Sequence, residues 1–232
     1  MVKGIVKIDN KYKLLKSDTI TVNKHILYRI VAIKSFSNIK KGQLGGYVES
    51  ISNLSQYGNA WVNIYAMVYG NALVSNNAVI HDTVKVYGNA GVCGNTKIFN
   101  NAKIYDNAWI CDNVRIYDNV KVYGNTYIHD NVWISEKAKV FGNARIYGNV
   151  WVSDNSKVYD NAHVHGTAII SDYAEVYGNA HVYDNASITD KGKVYGNAKV
   201  YGNAKVYNYA HVYGKANICN DTWIYGNRKI YK

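Results

Sequence analysis

The chain has 232 residues, and Lys and Arg outnumber Asp and Glu by 27 to 16, which gives a formal net charge of +11. This surplus favours anionic partners and carries no information about the fold. No apolar run approaches the ~18 residues of a membrane span. The first residues also lack the apolar region of a signal peptide, so we expect a cytoplasmic protein that contacts no membrane.

Residues 1–43 are predicted to form a small β cap. The stretches "YKLLKSDTITV" and "HILYRIVAIKSF" alternate in polarity like strands and meet at the polar pair "NK", which is typical of a hairpin. Such a hairpin would cover the first edge of a following sheet, which would otherwise be free to pair with another chain.

Residues 44–232 are predicted to form one uninterrupted repeat domain. Every sixth residue from Val62 to Ile230 is Val or Ile, and the residue two positions earlier is small, most often Ala. Leu44 and Val48 are expected to open these two inward columns. Arg228 breaks the small column near its end, and we expect it to plug the C-terminal end of the domain.

The six-residue period determines the type of element. It does not match the 3.6-residue period of a helix, and repeats of constant length and direction favour parallel strands over hairpins. Gly-Asn and Asp-Asn pairs recur between the strands, where Asn and Gly tolerate left-handed backbone angles. The sequence therefore predicts an all-β fold, a parallel β-helix with three six-residue sides per coil.

The pattern Val-x-x-x-Ala-x resembles that of the hexapeptide-repeat proteins. The cap followed by "GGYVE" is similar to phage- and prophage-encoded YdcK-like members of that group. This resemblance implies a left-handed parallel β-helix of about ten coils, an exception to the right-handed crossover rule. It also implies a homotrimer and a phage or prophage origin, with the protein acting in the cytoplasm of a bacterial host.

Residues 18 positions apart are expected to stack on successive coils, which sorts the outward residues into three faces. Face one contains Lys85 and Tyr87 and their equivalents every 18 residues. It combines a lysine column with an aromatic column, which either stabilises neighbouring strands and keeps the sheet soluble or binds an anionic polymer. The predicted basic-aromatic strip comprises Lys103, Tyr105, Lys121, Tyr123, Lys139, Phe141, Lys157 and Tyr159.

Face two contains Trp61 and Asn63 and their equivalents every 18 residues. Its charges vanish at Trp133, Trp151 and Ile169, which are expected to form a contiguous exposed apolar stripe. Because such a stripe usually marks an interface, we interpret it as the seam between subunits.

Face three contains Leu73 and Ser75 and their equivalents every 18 residues, and it is the least repetitive face. Arginine offers a planar fork to phosphate or carboxylate, while aromatic rings supply stacking surfaces. We therefore place the candidate ligand site there. Its predicted residues are Trp109, Tyr127, His129, Arg145, Tyr147, His163, His165 and His181.

Two catalytic interpretations of these histidines are weaker. The family resemblance implies acyl transfer with His129, His163 or His165 as base, but the chain has no inserted loops, and the outward columns of face three contain no acidic residue to orient a base. The resemblance also implies a zinc site like that of γ-class carbonic anhydrases at His163, His165 and His181. His163 and His165 flank the inward Val164 and diverge, so a second subunit would have to complete such a site, and this interpretation is weaker still than acyl transfer. We therefore predict no catalytic residue, no metal and no cofactor.

The leading hypothesis is a non-catalytic protein that binds or sequesters small anionic, nucleotide-like ligands in grooves between the subunits of a trimer. The alternative is a structural or interaction rod that binds a polyanion or another protein. Nucleic acid is an unspecific candidate partner in that case, and a hexapeptide acyltransferase is the further alternative.

Overall fold

A computed structural model describes residues 10–232, and the predicted absence of a signal peptide lies largely outside this range. These residues are all-β apart from one 3-10 turn at Ile51–Asn53. Between residues 10 and 232 there is no helix with the length and hydropathy that a membrane crossing requires. The sheets contain 13, 10 and 9 strands, which corresponds to about ten stacked coils.

The predicted cap hairpin is confirmed. β1 (Tyr12–Val22) pairs antiparallel with β2 (His25–Ala32), which pairs in the same sense with β3 (Leu44–Val48). β3 then pairs parallel with the first short strand of face one, so the cap and the coils share one sheet. The later strands of face one are Met67–Val68, Lys85–Val86, Lys103–Ile104, Lys121–Val122, Lys139–Val140, Lys157–Val158, Glu175–Val176, Lys193–Val194, His211–Tyr213 and Lys229–Tyr231.

The other two faces form one parallel sheet each. Face two consists of Trp61–Val62, Val79–Ile80, Lys97–Ile98, Arg115–Ile116, Trp133–Ile134, Trp151–Val152, Ile169–Ile170, Ser187–Ile188, Lys205–Val206 and Trp223–Ile224. Face three consists of Leu73–Val74, Gly91–Val92, Trp109–Ile110, Tyr127–Ile128, Arg145–Ile146, His163–Val164, His181–Val182, Lys199–Val200 and Asn217–Ile218.

The two predicted inward columns form one continuous core along the coils. Their Val, Ile and Ala side chains are almost all fully buried. Because each coil contributes the same small and β-branched pair to every side, the interior is filled without large side chains. The parallel β-helix and its three faces are thereby confirmed, while the left hand of its winding remains a prediction from the resemblance.

The turns differ in detail from the prediction. The positive φ angle lies at the first residue of each Gly-Asn or Asp-Asn pair, as at Gly58 and Asp106. The asparagine that follows instead joins a chain of side-chain amides running from coil to coil, as from Asn107 to Asn125 and Asn143. Asparagine at the second position therefore stabilises the stacking of coils and is not required for backbone conformation.

The two ends of the domain correct two further expectations. Val48 is buried and pairs with Val68, but Leu44 is 45% exposed and pairs with Val31 in the cap. Arg228 does not plug the core, because its side chain is exposed and its guanidinium lies 4.5 Å from the Tyr225 ring. A long cation is expensive to bury, so it turns outward to an aromatic surface.

The cap is fixed to the first coil by polar groups that are themselves buried. Lys11 is 1% exposed, and its ammonium group donates to the carbonyl oxygens of Ala60 (2.8 Å) and Gly58 (3.2 Å). Burial and the charge of Lys34 lower the pKa of Lys11 to about 8. The Tyr12 hydroxyl donates to the carbonyl oxygen of Leu54 at 2.7 Å. These bonds satisfy carbonyl groups that an open end would leave without protein partners.

Candidate functional site

Face three brings the predicted ligand residues together in two adjacent columns. The first column runs along the strands, where pairing places five residues in direct register. Three of these side chains are exposed and two histidines are half-buried. The His163 and His181 rings stack with centroids 4.8 Å apart, as the 18-residue spacing predicts. In order along the rod the column is Trp109, Tyr127, Arg145, His163 and His181.

The second column lies at the corner beside these strands and forms an unbroken stack of rings. Tyr147 lies between His129 and His165, with ring centroids 5.2 Å and 4.8 Å away, and Tyr183 continues the stack beyond His165. Tyr127 connects the two columns, because its ring lies 4.9 Å from that of His129. The rings of the corner column are therefore held in fixed positions beside the side chains of the strand column.

Arg145 provides the permanent positive charge of this surface. Its side chain is exposed, and no carboxylate in residues 10–232 forms an ion pair with it. Burial, together with the positive charges of His181, Arg145 and His165, lowers the pKa of His163. Burial also lowers the pKa values of His165 and His181. The histidines therefore favour the neutral form, and the guanidinium is the group that is ready to bind an anion.

The prediction that no carboxylate adjoins these histidines is wrong for His129. Its Nδ1 lies 3.2 Å from Asp130 Oδ1 and 4.0 Å from Asp112 Oδ2. Both aspartates occupy the turn, outside the two outward columns from which the prediction was made. An aspartate in a turn nevertheless contacts side chains of the face: Asp130 lies beside His129 on its own coil, and Asp112 reaches the turn of the next coil.

Three cysteines, an odd number without a CxxC pair, predict reduced intracellular thiols, and this expectation is wrong for two of them. Cys93 and Cys111 form a disulfide across adjacent coils, with Cα atoms 4.5 Å apart, and Cys219 is free. The two cysteines are 18 residues apart and share the corner column of face three. Their spacing equals the coil length, so the sequence does indicate that they are neighbours on adjacent coils, although they form no CxxC pair.

Face two contains the predicted apolar stripe. The Trp133 and Trp151 rings stack with centroids 5.3 Å apart, and Trp151 and Ile169 are 54% and 44% exposed. One flank of the stripe is polar, since the Arg115 guanidinium lies 5.0 Å from the Trp133 ring. The structure thus leaves a large apolar surface open in the single chain.

Face one contains the predicted strip and a cleft beside it. The rings of Tyr105, Tyr123, Phe141 and Tyr159 stack with centroids 4.8–5.0 Å apart, and their burial raises the pKa of Tyr105 to about 12. On the side of the lysine column lies a cleft of about 420 Å³. It is lined by Asn119, Lys121, Lys137, Lys139, Asn155, Lys157, Tyr173 and Glu175.

Lys137 is the lysine of this cleft that lies outside the lysine column of face one. It replaces the usual asparagine after the turn, so its ammonium joins those of Lys121 and Lys139. Glu175 neutralises only one end, because it pairs with Lys157 at 2.8 Å and Lys193 at 3.1 Å. The remaining lysines give the cleft a positive charge.

A second cleft, of about 730 Å³, lies between the cap and the first coils of face two. The chain between β2 and β3 overhangs the coils there, and Asn38, Trp61, His81 and Lys97 contribute to the walls. Sequence patterns do not reveal this cleft, because it depends on how the irregular cap segment packs on the regular coils.

The fold defines a class: a parallel β-solenoid of hexapeptide repeats. Within that class, the family model described as the YdcK beta solenoid repeat matches residues 66–82 and 138–154. The two segments lie in different coils and follow the same repeat pattern, so the chain is similar to the YdcK-like hexapeptide-repeat proteins that the sequence resembles. No curated protein shows significant sequence similarity to the chain.

Proposed function

We propose that the protein is a non-catalytic binding protein for small anionic, nucleotide-like ligands. The observation that carries this proposal is the environment of Arg145 on face three. Its side chain is exposed and has no acidic partner in residues 10–232, and its strand lies in register between those of Tyr127 and His163. A guanidinium next to fixed aromatic rings offers a bidentate contact to phosphate and a stacking surface for a base.

A trimer would complete the site. A single sheet face is nearly flat, and ligand pockets usually enclose most of the ligand, so a groove between face three and a neighbouring subunit supplies the missing wall. The apolar stripe at Trp133 and Trp151 is the surface that we assign to subunit contact. If the gene derives from a phage or prophage, sequestering a nucleotide signal of the host is a use that requires affinity and no turnover.

The proposal is tested by titrating the purified protein with mono- and cyclic nucleotides in a calorimeter. We expect uptake of at least one member, weakened about tenfold or more in Arg145→Ala, because hydrogen bonds to a charged group contribute roughly 1.5–3 kcal/mol. Arg228→Ala is the matched control, since it removes the same charge at the far end of the rod. Uptake that is absent, or equal in the two variants, would contradict the proposal.

The lysine cleft on face one favours a second candidate function, the binding of a linear polyanion along the rod. Lysines on successive strands are spaced at the ~4.8 Å interval of paired strands and present a positive row that Glu175 neutralises only at one end. A single-stranded oligonucleotide belongs in the same titration series. Binding of the oligonucleotide that weakens steeply with salt and is lost in a Lys121→Gln/Lys139→Gln variant, without uptake of mononucleotides, would favour this second function.

A further inference from the structure

We propose that His129, Asp112 and Asp130 form a binding site for a divalent transition-metal ion at the edge of face three. One potential ligand atom of each residue lies within 4.8 Å of those of the other two. The inference is independent of nucleotide binding, because it concerns the cation alone.

The distances fit a shared ion. His129 Nδ1 is 3.2 Å from Asp130 Oδ1 and 4.0 Å from Asp112 Oδ2. Two ligands on a tetrahedral zinc ion, with bonds of about 2.1 Å, are separated by about 3.4 Å. Small side-chain rotations are therefore sufficient to bring the three atoms onto one ion.

The ligands are already oriented by the backbone. Asp112 Oδ2 accepts the backbone N–H of Asp130 at 3.3 Å, and Asp130 Oδ2 accepts that of Gly148 at 2.9 Å. The His129 ring is held by its stack on Tyr147. Such outer contacts fix ligand geometry in metal sites and lower the ordering cost of binding.

The donor set determines the class of ion. One imidazole and two carboxylates favour zinc, cobalt or nickel over magnesium and calcium, which prefer oxygen ligands alone. Without an ion, two carboxylates lie close together, and a cation would offset their repulsion. Three protein ligands also leave at least one coordination position open for water or an anion.

The repeat supplies its own comparison. Many turns contain an aspartate that accepts a backbone N–H from the next coil, as Asp160 does from Gly178, so a turn carboxylate alone is structural. His129 differs because it adjoins its own turn aspartate and that of the coil below. His165 lies in the same corner column but is followed by Gly166, and Gly148 lies below it.

The test is calorimetric titration of the metal-free protein with ZnCl2, and CoCl2 absorption spectra, with no nucleotide present and with the disulfide verified by intact mass. We expect one ion per chain, lost in His129→Ala, weakened in Asp130→Asn, and unchanged in the control His81→Ala, because His81 is followed by Asp82 but has Ile64 in the turn of the coil below. Circular dichroism and thermal midpoints establish that each variant is folded.

Absence of binding, or binding that survives His129→Ala, would overturn the proposed metal site. Loss in His81→Ala would place the ion at another histidine and would also overturn it. Repeating the nucleotide titration in the presence of EDTA separates the two proposals, since uptake by Arg145 without metal supports the proposed function whatever the zinc result.

Discussion

At the scale of single residues, the small inward column shows how much one polar atom matters in this core. Thr96 and Thr126 occupy positions that are otherwise mostly Ala or Val, and both are at most 1% exposed. Their hydroxyl groups form no hydrogen bond, whereas the Ser156 hydroxyl donates to the carbonyl oxygen of Ser153 at 2.6 Å. A buried hydroxyl without a partner costs roughly 1–3 kcal/mol.

We therefore expect Thr126→Val to raise the free energy of unfolding by about 1 kcal/mol or more, because it removes an unsatisfied hydroxyl and keeps the shape of the side chain. Val120 and Val132 show that the column accepts valine. Urea unfolding followed by circular dichroism measures the change. Ser156→Ala is the comparison, and it should not stabilise the protein because its hydroxyl is satisfied; a decrease in stability for Thr126→Val would contradict this account.

At the scale of elements, the stacked columns on the outer faces are arrays of partly buried titratable groups. On face three, the pKa values of His163, His165 and His181 are lowered mainly by burial. Arg145 adds to this effect at His163 and Lys199 adds to it at His181, whereas Asp184 opposes it at His165. Stacking on a neighbouring coil is the source of this burial, so the shifts belong to the column and not to one residue.

The lowered pKa values predict that acid destabilises the fold. The unfolded chain protonates these histidines more readily than the folded chain does. The free energy of unfolding is therefore unaffected by these histidines above their unfolded pKa of about 6.5. It decreases as the pH falls from there through the lowered folded values. We expect the thermal midpoint of the wild type to fall between pH 7 and pH 5, and the decrease to be smaller in His163→Asn/His181→Asn. An equal decrease in both proteins would show that other groups cause the loss of thermal stability in acid.

At the scale of the whole molecule, the apolar stripe on face two is the surface that distinguishes a rod acting alone from an assembly. In the single chain the stacked tryptophan rings leave apolar area in contact with water. Burying such area in an interface contributes about 25 cal/mol per Å² to the free energy of association. The stripe spans three successive coils, which suits a partner of the same pitch, namely another copy of this chain.

We expect native mass spectrometry to show a trimer for the wild type and a monomer for Trp151→Lys, because a lysine in the centre of the seam would be buried without a partner. Trp223→Lys is the matched control: it lies on the same face, 53% exposed, several coils away from the stripe, and its trimer should persist. A Trp151→Lys variant that remains trimeric would move the interface to a different face.

The sequence by itself determined the architecture, because the positions of Val62 and its successors at a constant period fix the inward and outward directions of every strand. It also determined which residues share a face, so the stacking of His163 on His181 and of Trp133 on Trp151 followed from their spacing of 18. These are consequences of local geometry, which a repeat copies from coil to coil.

Only the tertiary structure decided the contacts made at corners and at the irregular end. The approach of Asp112 and Asp130 to His129, the Cys93–Cys111 disulfide and the entry of Lys137 into the lysine cleft depend on how turn side chains reach between coils. The exposure of Leu44 and the cleft under the cap depend on a first coil that departs from the period. The six-residue period predicts only the features that all coils share. These contacts arise where side chains reach beyond their own repeat or where the repeat is interrupted.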